Sequence, residues 1–333
     1  MLTSPQIFSG AYGSMEISSS KSRPLIFDCD PGQDDAISLI MALSPGSGLD
    51  IRAITTVAGN TSLAKCQRNA RMIAEICGRS DVPVFAGCVA PLEVPLATAE
   101  EVHGVEGLDG IEIFEPDLPL QQESGVDAII RLCRTVDNIV LVPTGPLTNI
   151  ATALTRAPDI AARISEIVLM GGARSEAGNI TPSAEFNIFV DPHAAKIVFD
   201  APVKKTVFGL DVTHKALIRD AHVDRIAALG TQMGKRLTGM LRSDYADYDR
   251  AKFGTSGTPI HDACTTTYLL QPDVFTFKSV SVQIETDSQL TRGHTSVDFW
   301  QMTDRPRDTD WAVDVDADQF FEVMIGRFAA YAD

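Results

Sequence analysis

The sequence predicts an α/β fold with an open, mainly parallel, Rossmann-like sheet, helices on both faces, and a small antiparallel C-terminal addition. Up to about residue 215, short β-branched runs alternate with segments of helical periodicity. Such alternation is typical of right-handed βαβ units, whose helices cover both faces of a parallel sheet. Beyond that point the alternation stops, and two short segments with period-two patterning indicate a hairpin.

The elements follow in order along the chain. Short runs rich in Val, Ile and Thr predict strands at 24–28, 51–57, 82–86, 138–143, 165–170 and 203–208. Apolar residues spaced three or four apart predict helices at 34–43, 62–77, 125–135, 146–156 and 191–200. The remaining predicted elements are a helical stretch at 219–251, a helix beginning at His261-Asp262, a hairpin of 279–285 with 294–300, and a closing helix at 316–331.

Residues 24–333 are predicted to form a single domain, because no Pro/Ser-rich linker and no internal repeat divides them. Residues 1–23 contain seven serines and neither an early basic cluster nor a sustained apolar stretch, so we expect a flexible tail rather than a signal peptide. Two connections, 88–123 and 171–188, are too long to be simple turns. Long loops in compact domains are usually lids or binding loops, which is what we expect of both.

The composition argues against several classes of protein. A formal net charge of −16 disfavours binding to nucleic acid or anionic membranes, which depends on clustered Lys and Arg. No apolar run approaches the roughly 18 residues that a membrane-spanning helix needs. The six cysteines are scattered without a CxxC pair, which indicates reduced thiols in a cytoplasmic protein and disfavours zinc or a disulfide framework.

Four carboxylates, those of Asp28, Asp30, Asp34 and Asp35, fall within eight residues where the first strand passes into the first helix. Open α/β sheets build their sites at the carboxyl ends of strands. Asp34 and Asp35 alone could merely complement the positive end of the helix, but two acids ending an apolar strand do not fit that interpretation. Acids this close repel one another unless a cation lies among them, so we predict a hard divalent ion such as Ca²⁺ or Mg²⁺.

Polar residues also follow the other predicted strands, and these residues are Asn60, Thr144, Asn179, Glu185 and Asn187. If the sheet is parallel, they converge on one edge, where carboxylates and carboxamides suit a metal plus a polyhydroxylated ligand such as a sugar. Plainer roles fit four of these residues as well. Asn60 could cap the next helix, Thr144 could belong to an ordinary turn, and Glu185 and Asn187 could be surface residues.

The run from Asp28 to Ala36 resembles the DxDPGxDDA hallmark of the inosine-uridine nucleoside hydrolase family. Further motifs continue the resemblance in the family's order: Ala53 to Asn60, Val142 to Gly145, Val168 to Gly172, Ala184 to Asn187 and Ile260 to Asp262. The resemblance covers roughly residues 24–328. It implies one catalytic domain that hydrolyses the N-glycosidic bond of ribonucleosides to free base and ribose.

The resemblance also implies roles for individual residues. Ca²⁺ would be held by Asp30, Asp35, Asp262 and the main-chain carbonyl of Thr144. Asp30 would also be the general base on a metal-bound water, and His261 would protonate the leaving base. His103 and Met170 would line the pocket. The residues that would hold the ribose are Asp34, Asn60, Asn179, Glu185, Asn187 and Asp262. Family members also suggest a homodimer or homotetramer.

The C-terminal part of the chain predicts the base preference. The stretch 249–259 lacks the Tyr and Arg spacing of the best-known family members, and Trp300 and Trp311 fall outside the two long loops. We therefore expect inosine/uridine-type or pyrimidine-leaning specificity rather than a purine stacked on tryptophan. Tyr245 and Tyr248, at helical spacing, either close over the base or pack elsewhere.

Two other functions fit part of the sequence. A non-catalytic, Ca²⁺-stabilised nucleoside- or sugar-binding protein would keep the ribose contacts but would need neither Asp30 as a base nor His261. A phosphatase of the haloacid dehalogenase type also has a DxD after a strand. However, it normally carries Thr or Val where Gly32 stands and needs a later Lys.

Overall fold

The computed structural model describes residues 23–243, 248, 250–252 and 254–332. Its main sheet has eight strands in the order β3-β2-β1-β4-β5-β6-β12-β9, and neighbours are parallel except for the antiparallel pair β12 and β9. The strands are β1 Pro24–Cys29, β2 Asp50–Thr56, β3 Val84–Ala86, β4 Ile139–Pro143, β5 Ile164–Met170, β6 Lys205–Phe208, β7 Leu217–Ile218, β8 Thr258–Pro259, β9 Phe275–Val280, β10 Val282–Ile284, β11 Thr295–Val297 and β12 Thr309–Val315.

Helices cover both faces of this sheet, so its strands are buried on each side. Neighbouring residues of β1 show this directly, because Phe27 packs in one hydrophobic cluster and Ile26 in the other. The helices are α1 Gln33–Leu43, α2 Leu63–Ile76, α3 Glu100–His103, α4 Gly125–Thr135, α5 Thr148–Arg156, α6 Phe186–Val190, α7 Pro192–Asp200, α8 Leu210–Thr213, α9 Asp220–Ala227, α10 Gln232–Leu241, α11 Ala263–Leu270 and α12 Ala317–Ala329. The predicted fold class is confirmed.

The C-terminal part differs from the prediction in three places. The stretch 219–251 is not one helix, because α9 and α10 are separated at Gly230, whose φ of +72° favours glycine. The predicted hairpin is limited to β10 and β11, since residues 275–280 pair with β12 in the main sheet. The sequence does not reveal β12, because two acids, Asp310 and Asp314, interrupt the apolar pattern around its buried Trp311.

Residues 1–22 of the predicted tail lie outside the described residues, as do 244–247, 249, 253 and 333. The tail and the extent of the domain therefore stay predictions. Within the described ranges, no helix combines the length and the apolar character needed to span a membrane. All six cysteines are free thiols, and five of them are buried.

The sheet order determines where a site can form. Strand β1 lies between β2 and β4, so the carboxyl ends of three parallel strands meet at one edge. Helix α1 leaves this edge and packs against α11. The Ser38 hydroxyl in α1 donates to the Asp262 carbonyl (3.1 Å) and lies 2.7 Å from the Thr266 hydroxyl. Residues near both ends of the chain are thereby brought together.

Candidate active site

Asp30 directly follows β1 and is fully buried. Its Oδ2 accepts a hydrogen bond from the backbone N–H of Asn60 (2.7 Å), while Oδ1 has no hydrogen-bond partner within the described part of the chain. Glycines border the carboxylate on both sides, because a Cβ on Gly59 or on Gly145 would come closer than 3.0 Å to its oxygens. The strand-end loops thus form a slot that fixes this carboxylate.

The first turn of α1 supplies two further acids. Asp35 is tightly held, since its Oδ2 accepts the backbone N–H of Gly32 (3.1 Å) and its Oδ1 accepts the Thr144 hydroxyl (2.7 Å). Carboxylates at this position also complement the positive end of the helix. The helix-terminus interpretation and a ligand role are therefore compatible for Asp34 and Asp35.

Asp262 precedes α11 and completes the cluster. One carboxylate oxygen from each of Asp34, Asp35 and Asp262 lies within 4.8 Å of the others, and all three residues are buried. Asp30 is not part of this group, so the structure groups Asp34, rather than Asp30, with the other two predicted ligands. The carbonyl of Thr144, the fourth predicted ligand, accepts the Asn187 amide (2.7 Å).

Electrostatics indicates what the cluster can hold. Burial, together with repulsion from neighbouring carboxylates, raises the pKa of Asp35 to about 6 and the pKa values of Asp30 and Asp262 well above the usual range. A cation would relieve this repulsion, and an all-oxygen set with the buried Oδ1 of Asp30 suits a hard divalent ion. The residues present therefore fit a metal ion.

Asp28 contributes to the frame of the site rather than to its surface. It is fully buried, and its Oδ1 accepts the Thr55 hydroxyl (2.6 Å) and the Asn149 amide (2.7 Å). Burial raises the pKa of Asp28 to about 7, although both hydrogen bonds oppose the shift. The Asn149 amide also donates to the carbonyl of Thr56 (3.0 Å), which joins α5 to β2.

A cavity opens above the acids and encloses about 700 Å³ of space, its mouth included. Most of its polar lining consists of predicted residues, whereas Thr98 to Val102, Ile180 and Phe186 were not predicted. The lining residues are Asp34, Asn60, Thr98, Ala99, Glu101, Val102, His103, Thr144, Met170, Asn179, Ile180, Glu185, Phe186, Asn187, Tyr248, His261 and Asp262. Such a mixture of carboxylates and amides suits a ligand rich in hydroxyl groups.

The long loop 171–188 is held in place by its own polar side chains. Glu185 begins α6 and accepts the backbone N–H groups of Asn187 (3.0 Å) and Gly172 (2.9 Å). The Asn179 side-chain oxygen accepts the N–H of Phe186 (2.8 Å), which anchors the loop at a second point. Burial raises the pKa of Glu185, against these hydrogen bonds. Its carboxylate therefore combines a structural role with exposure to the cavity.

Two histidines border the cavity, and each is oriented by a neighbour. The side-chain N–H of Gln33 donates to the His103 carbonyl (3.3 Å). The side-chain oxygen of Gln33 lies 2.7 Å from His103 Nδ1 and therefore accepts a hydrogen bond from that nitrogen. His261 Nδ1 lies 2.8 Å from the hydroxyl of Thr213. Neither Gln33 nor Thr213 was predicted, because a buried Gln or Thr carries no distinguishing pattern in a single sequence.

The predicted site residues thus converge on one cavity, with Asp30 and Asp35 behind its floor. Tyr248 lines the cavity, and Tyr245 lies outside the described residues. Trp311 is buried in the sheet, whereas Trp300 is 77% exposed, and neither lines the cavity. Fold and site together define an α/β enzyme whose cavity has an acidic floor suited to a metal ion and a wall of amides suited to hydroxyl groups.

The chain belongs to the inosine-uridine preferring nucleoside hydrolase family, whose model matches residues 25–322. The pyrimidine-specific ribonucleoside hydrolase RihA of Photobacterium profundum is 44% identical over 312 residues, which cover 93% of this chain and 100% of the relative. RihA of Escherichia coli is 39% identical over 310 residues, covering 93% and 99%. The chain is therefore a ribonucleoside hydrolase, an N-glycosyl hydrolase, which argues against the phosphatase and the non-catalytic binding protein.

Solved structures agree with this assignment. A purine-preferring ribonucleoside hydrolase from Gardnerella vaginalis superposes with a TM-score of 0.86 at 32% identity, covering 92% of this chain and 98% of its own. A plant nucleoside hydrolase, PpNRh1, superposes with a TM-score of 0.85 at 29% identity, covering 93% and 99%. The mostly parallel sheet with surrounding helices is thus the architecture of this family.

Proposed function

We propose that this protein hydrolyses ribonucleosides to free base and ribose in a Ca²⁺-dependent reaction, with a preference for pyrimidine bases. One observation carries the proposal: Asp34 and Asp35 from the first helix cluster with Asp262 from the C-terminal part of the chain, and Asp34 and Asp262 line a cavity that is also lined by amides. This arrangement places a cluster of carboxylates that suits a cation beside a wall of amides that suits a sugar. Cleavage of an N-glycosidic bond uses both.

Asp30, Asp35, Asp262 and the Thr144 carbonyl would hold the ion. When bound, the cation would neutralise the acids and acidify a water molecule beside them. Asp30 is assigned as the general base because its Oδ1 is buried, lacks a partner in the described residues, and is fixed between Gly59 and Gly145.

The amide wall would bind the ribose. Asn60, Asn179 and Asn187 are held by backbone and side-chain hydrogen bonds, so little further ordering is needed when they contact hydroxyl groups. Asp34, Glu185 and Asp262 add negative charge around the sugar. As the C1′–N bond lengthens, the sugar gains cationic character, and these carboxylates stabilise the transition state more than the ground state.

His261 would complete the reaction by donating a proton to the leaving base. It lines the cavity and is 9% exposed, so a proton can be delivered without loss to bulk solvent. The water oxygen bonds to C1′ and gives its proton to Asp30, while the electron pair of the breaking bond goes to the base nitrogen. A positioned proton donor contributes roughly 10²–10⁴-fold to such a step.

The pyrimidine preference is supported by two observations. The RihA relatives, at 39–44% identity, are named pyrimidine-specific, whereas the purine-preferring Gardnerella enzyme is 32% identical. In addition, neither tryptophan lines the cavity, so a purine would find no indole to stack on.

The experiment is a ribose-release assay on uridine, cytidine, inosine and guanosine. It compares the purified protein, the protein after chelation, and the chelated protein after addition of Ca²⁺ or, as a control, Mg²⁺. We expect activity to disappear on chelation and return with Ca²⁺, with kcat/KM higher for uridine and cytidine than for guanosine. Exclusive cleavage of guanosine, or activity that survives complete chelation, would contradict the proposal.

A further inference from the structure

The partner of His261 is a buried threonine that cannot touch substrate. Thr213 ends the short helix α8 and is 0% exposed, and it does not line the cavity. Its hydroxyl lies 2.8 Å from His261 Nδ1. Backbone hydrogen bonds fix the threonine itself: its N–H donates to the Gly209 carbonyl (3.1 Å), and its carbonyl accepts the N–H of Ala216 (3.0 Å). The hydroxyl is therefore presented to the imidazole from a rigid support.

We propose that Thr213 is a positioning residue for the hydrolysis reaction, which holds His261 through Nδ1 so that Nε2 carries the proton to the leaving base. This inference rests on the proposed role of His261 as the leaving-group acid. Thr213 acts only through the imidazole, since it has no surface on the cavity.

A hydroxyl suits this task because it both donates and accepts a hydrogen bond. When His261 is protonated, Nδ1–H donates to the Thr213 oxygen. When the ring is neutral, that oxygen either accepts from Nδ1–H or donates its own proton to a bare Nδ1. The hydrogen bond, and with it the ring orientation, therefore persists while Nε2 loses and regains a proton. A carboxylate at this position would accept only and would favour one tautomer.

The step that depends on this orientation is the departure of the base. The C1′–N1 bond of uridine breaks, its electron pair passes to the pyrimidine, and the proton on His261 Nε2 bonds to the base. Water supplies the oxygen that bonds to C1′, and its proton goes to Asp30. Both protons exchange with solvent before the next turnover, so the sum is uridine plus water giving uracil plus ribose.

The test separates leaving-group protonation from every other part of the reaction. Uridine is compared with 4-nitrophenyl β-D-ribofuranoside, whose nitrophenolate departs as a stable anion and needs no proton. For Thr213→Val, which replaces the hydroxyl with a methyl group of similar size, we expect the ratio of kcat for uridine to kcat for the nitrophenyl riboside to fall at least about tenfold. Thr213→Ser, which restores a hydroxyl, should bring the ratio back to within about threefold of wild type.

Thr267→Val is the matched control. This residue is also fully buried, but its hydroxyl has no hydrogen-bond partner within the described ranges, so the same change should leave the ratio at the wild-type value. An equal loss of both activities in Thr213→Val would mean a merely structural role and would overturn the inference. An unchanged ratio in this variant would overturn it as well.

His261→Gln distinguishes failure of the inference from failure of the proposed function. If His261→Gln lowers the ratio and Thr213→Val does not, the acid is assigned correctly and the positioning role is wrong. If His261→Gln leaves the ratio unchanged, the assignment of the leaving-group acid fails, and the inference fails with it.

Discussion

The Gly59→Ala substitution tests the placement of Asp30 without changing any charge. A Cβ at this position would lie 2.0 Å from Asp30 Oδ2 and 2.8 Å from Cδ of Pro146, and distances under 3.0 Å do not occur for real Cβ atoms. The carboxylate has little room to retreat, because the backbone of Gly145 lies so close to its other oxygen that even a Cβ built there would be 2.4 Å from Oδ1. Asp30 must therefore shift by about 1 Å.

A misplacement of about 1 Å at a reacting group can cost roughly 10²-fold in rate, or about 2.7 kcal/mol of transition-state stabilisation. We expect kcat/KM for uridine to fall by this factor. Overpacking also lowers the free energy of unfolding by roughly 1–3 kcal/mol, which thermal unfolding monitored by circular dichroism would measure.

Gly326→Ala is the control for this substitution. The residue lies in α12, and an added Cβ would meet nothing within 4 Å. We expect unchanged kcat/KM and a gain of roughly 0.5–1 kcal/mol in stability, because alanine is the better helix former. A folded Gly59→Ala protein with kcat/KM within about threefold of wild type would refute the reasoning on Asp30.

Three further predictions concern the same acids. Asp30→Asn should abolish uridine hydrolysis in a folded protein, whereas Asp137→Asn, the same change at an exposed site, should leave kcat/KM unchanged; normal turnover in the first variant would exclude this general base. Asp35→Asn should weaken Ca²⁺ binding at least about tenfold by isothermal calorimetry, and an unaltered Kd would remove Asp35 from the ligand set. Burial raises the pKa of Asp35 from 3.8 to about 6 and the pKa of Asp28 from 3.8 to about 7. In the metal-free protein, the stability that these two groups contribute is therefore complete below pH 3.8 and is lost as the pH rises through about 6 and about 7. The gain in Tm on adding Ca²⁺ should thus be larger at about pH 8 than at about pH 5, and an equal gain would contradict this linkage.

Much of the fold could be predicted because the part of the chain up to residue 208 follows local rules. The six predicted strands and five predicted helices between residues 24 and 208 lie within two residues of the observed elements. Each βαβ unit carries its own apolar periodicity and turn residues, so local pattern and global fold agree there. Strand β12 could not be predicted, because its place beside β6 depends on long-range pairing rather than on its own pattern.

The sequence predicts which residues form the site, but not which of them line the cavity and which support it from behind. The acids and amides that follow the strands are recognisable in the sequence, and the predicted residues lie at one edge of the sheet. The sequence does not indicate that Asp28 bonds to Thr55 and Asn149 instead of lining the cavity, or that Asp34 lines the cavity whereas Asp30 does not. Supporting residues such as Gln33 and Thr213 act through geometry that emerges only when distant segments pack together.

The most direct test of the central claim is a crystal structure of the protein grown with Ca²⁺. We expect one strong density peak bound by the carboxylates of Asp35 and Asp262 and by the carbonyl of Thr144, with the Asp30 carboxylate turned toward it. Ordinary solvent at that position, in crystals of a protein that still cleaves uridine, would contradict the claim that these acids hold a catalytic cation.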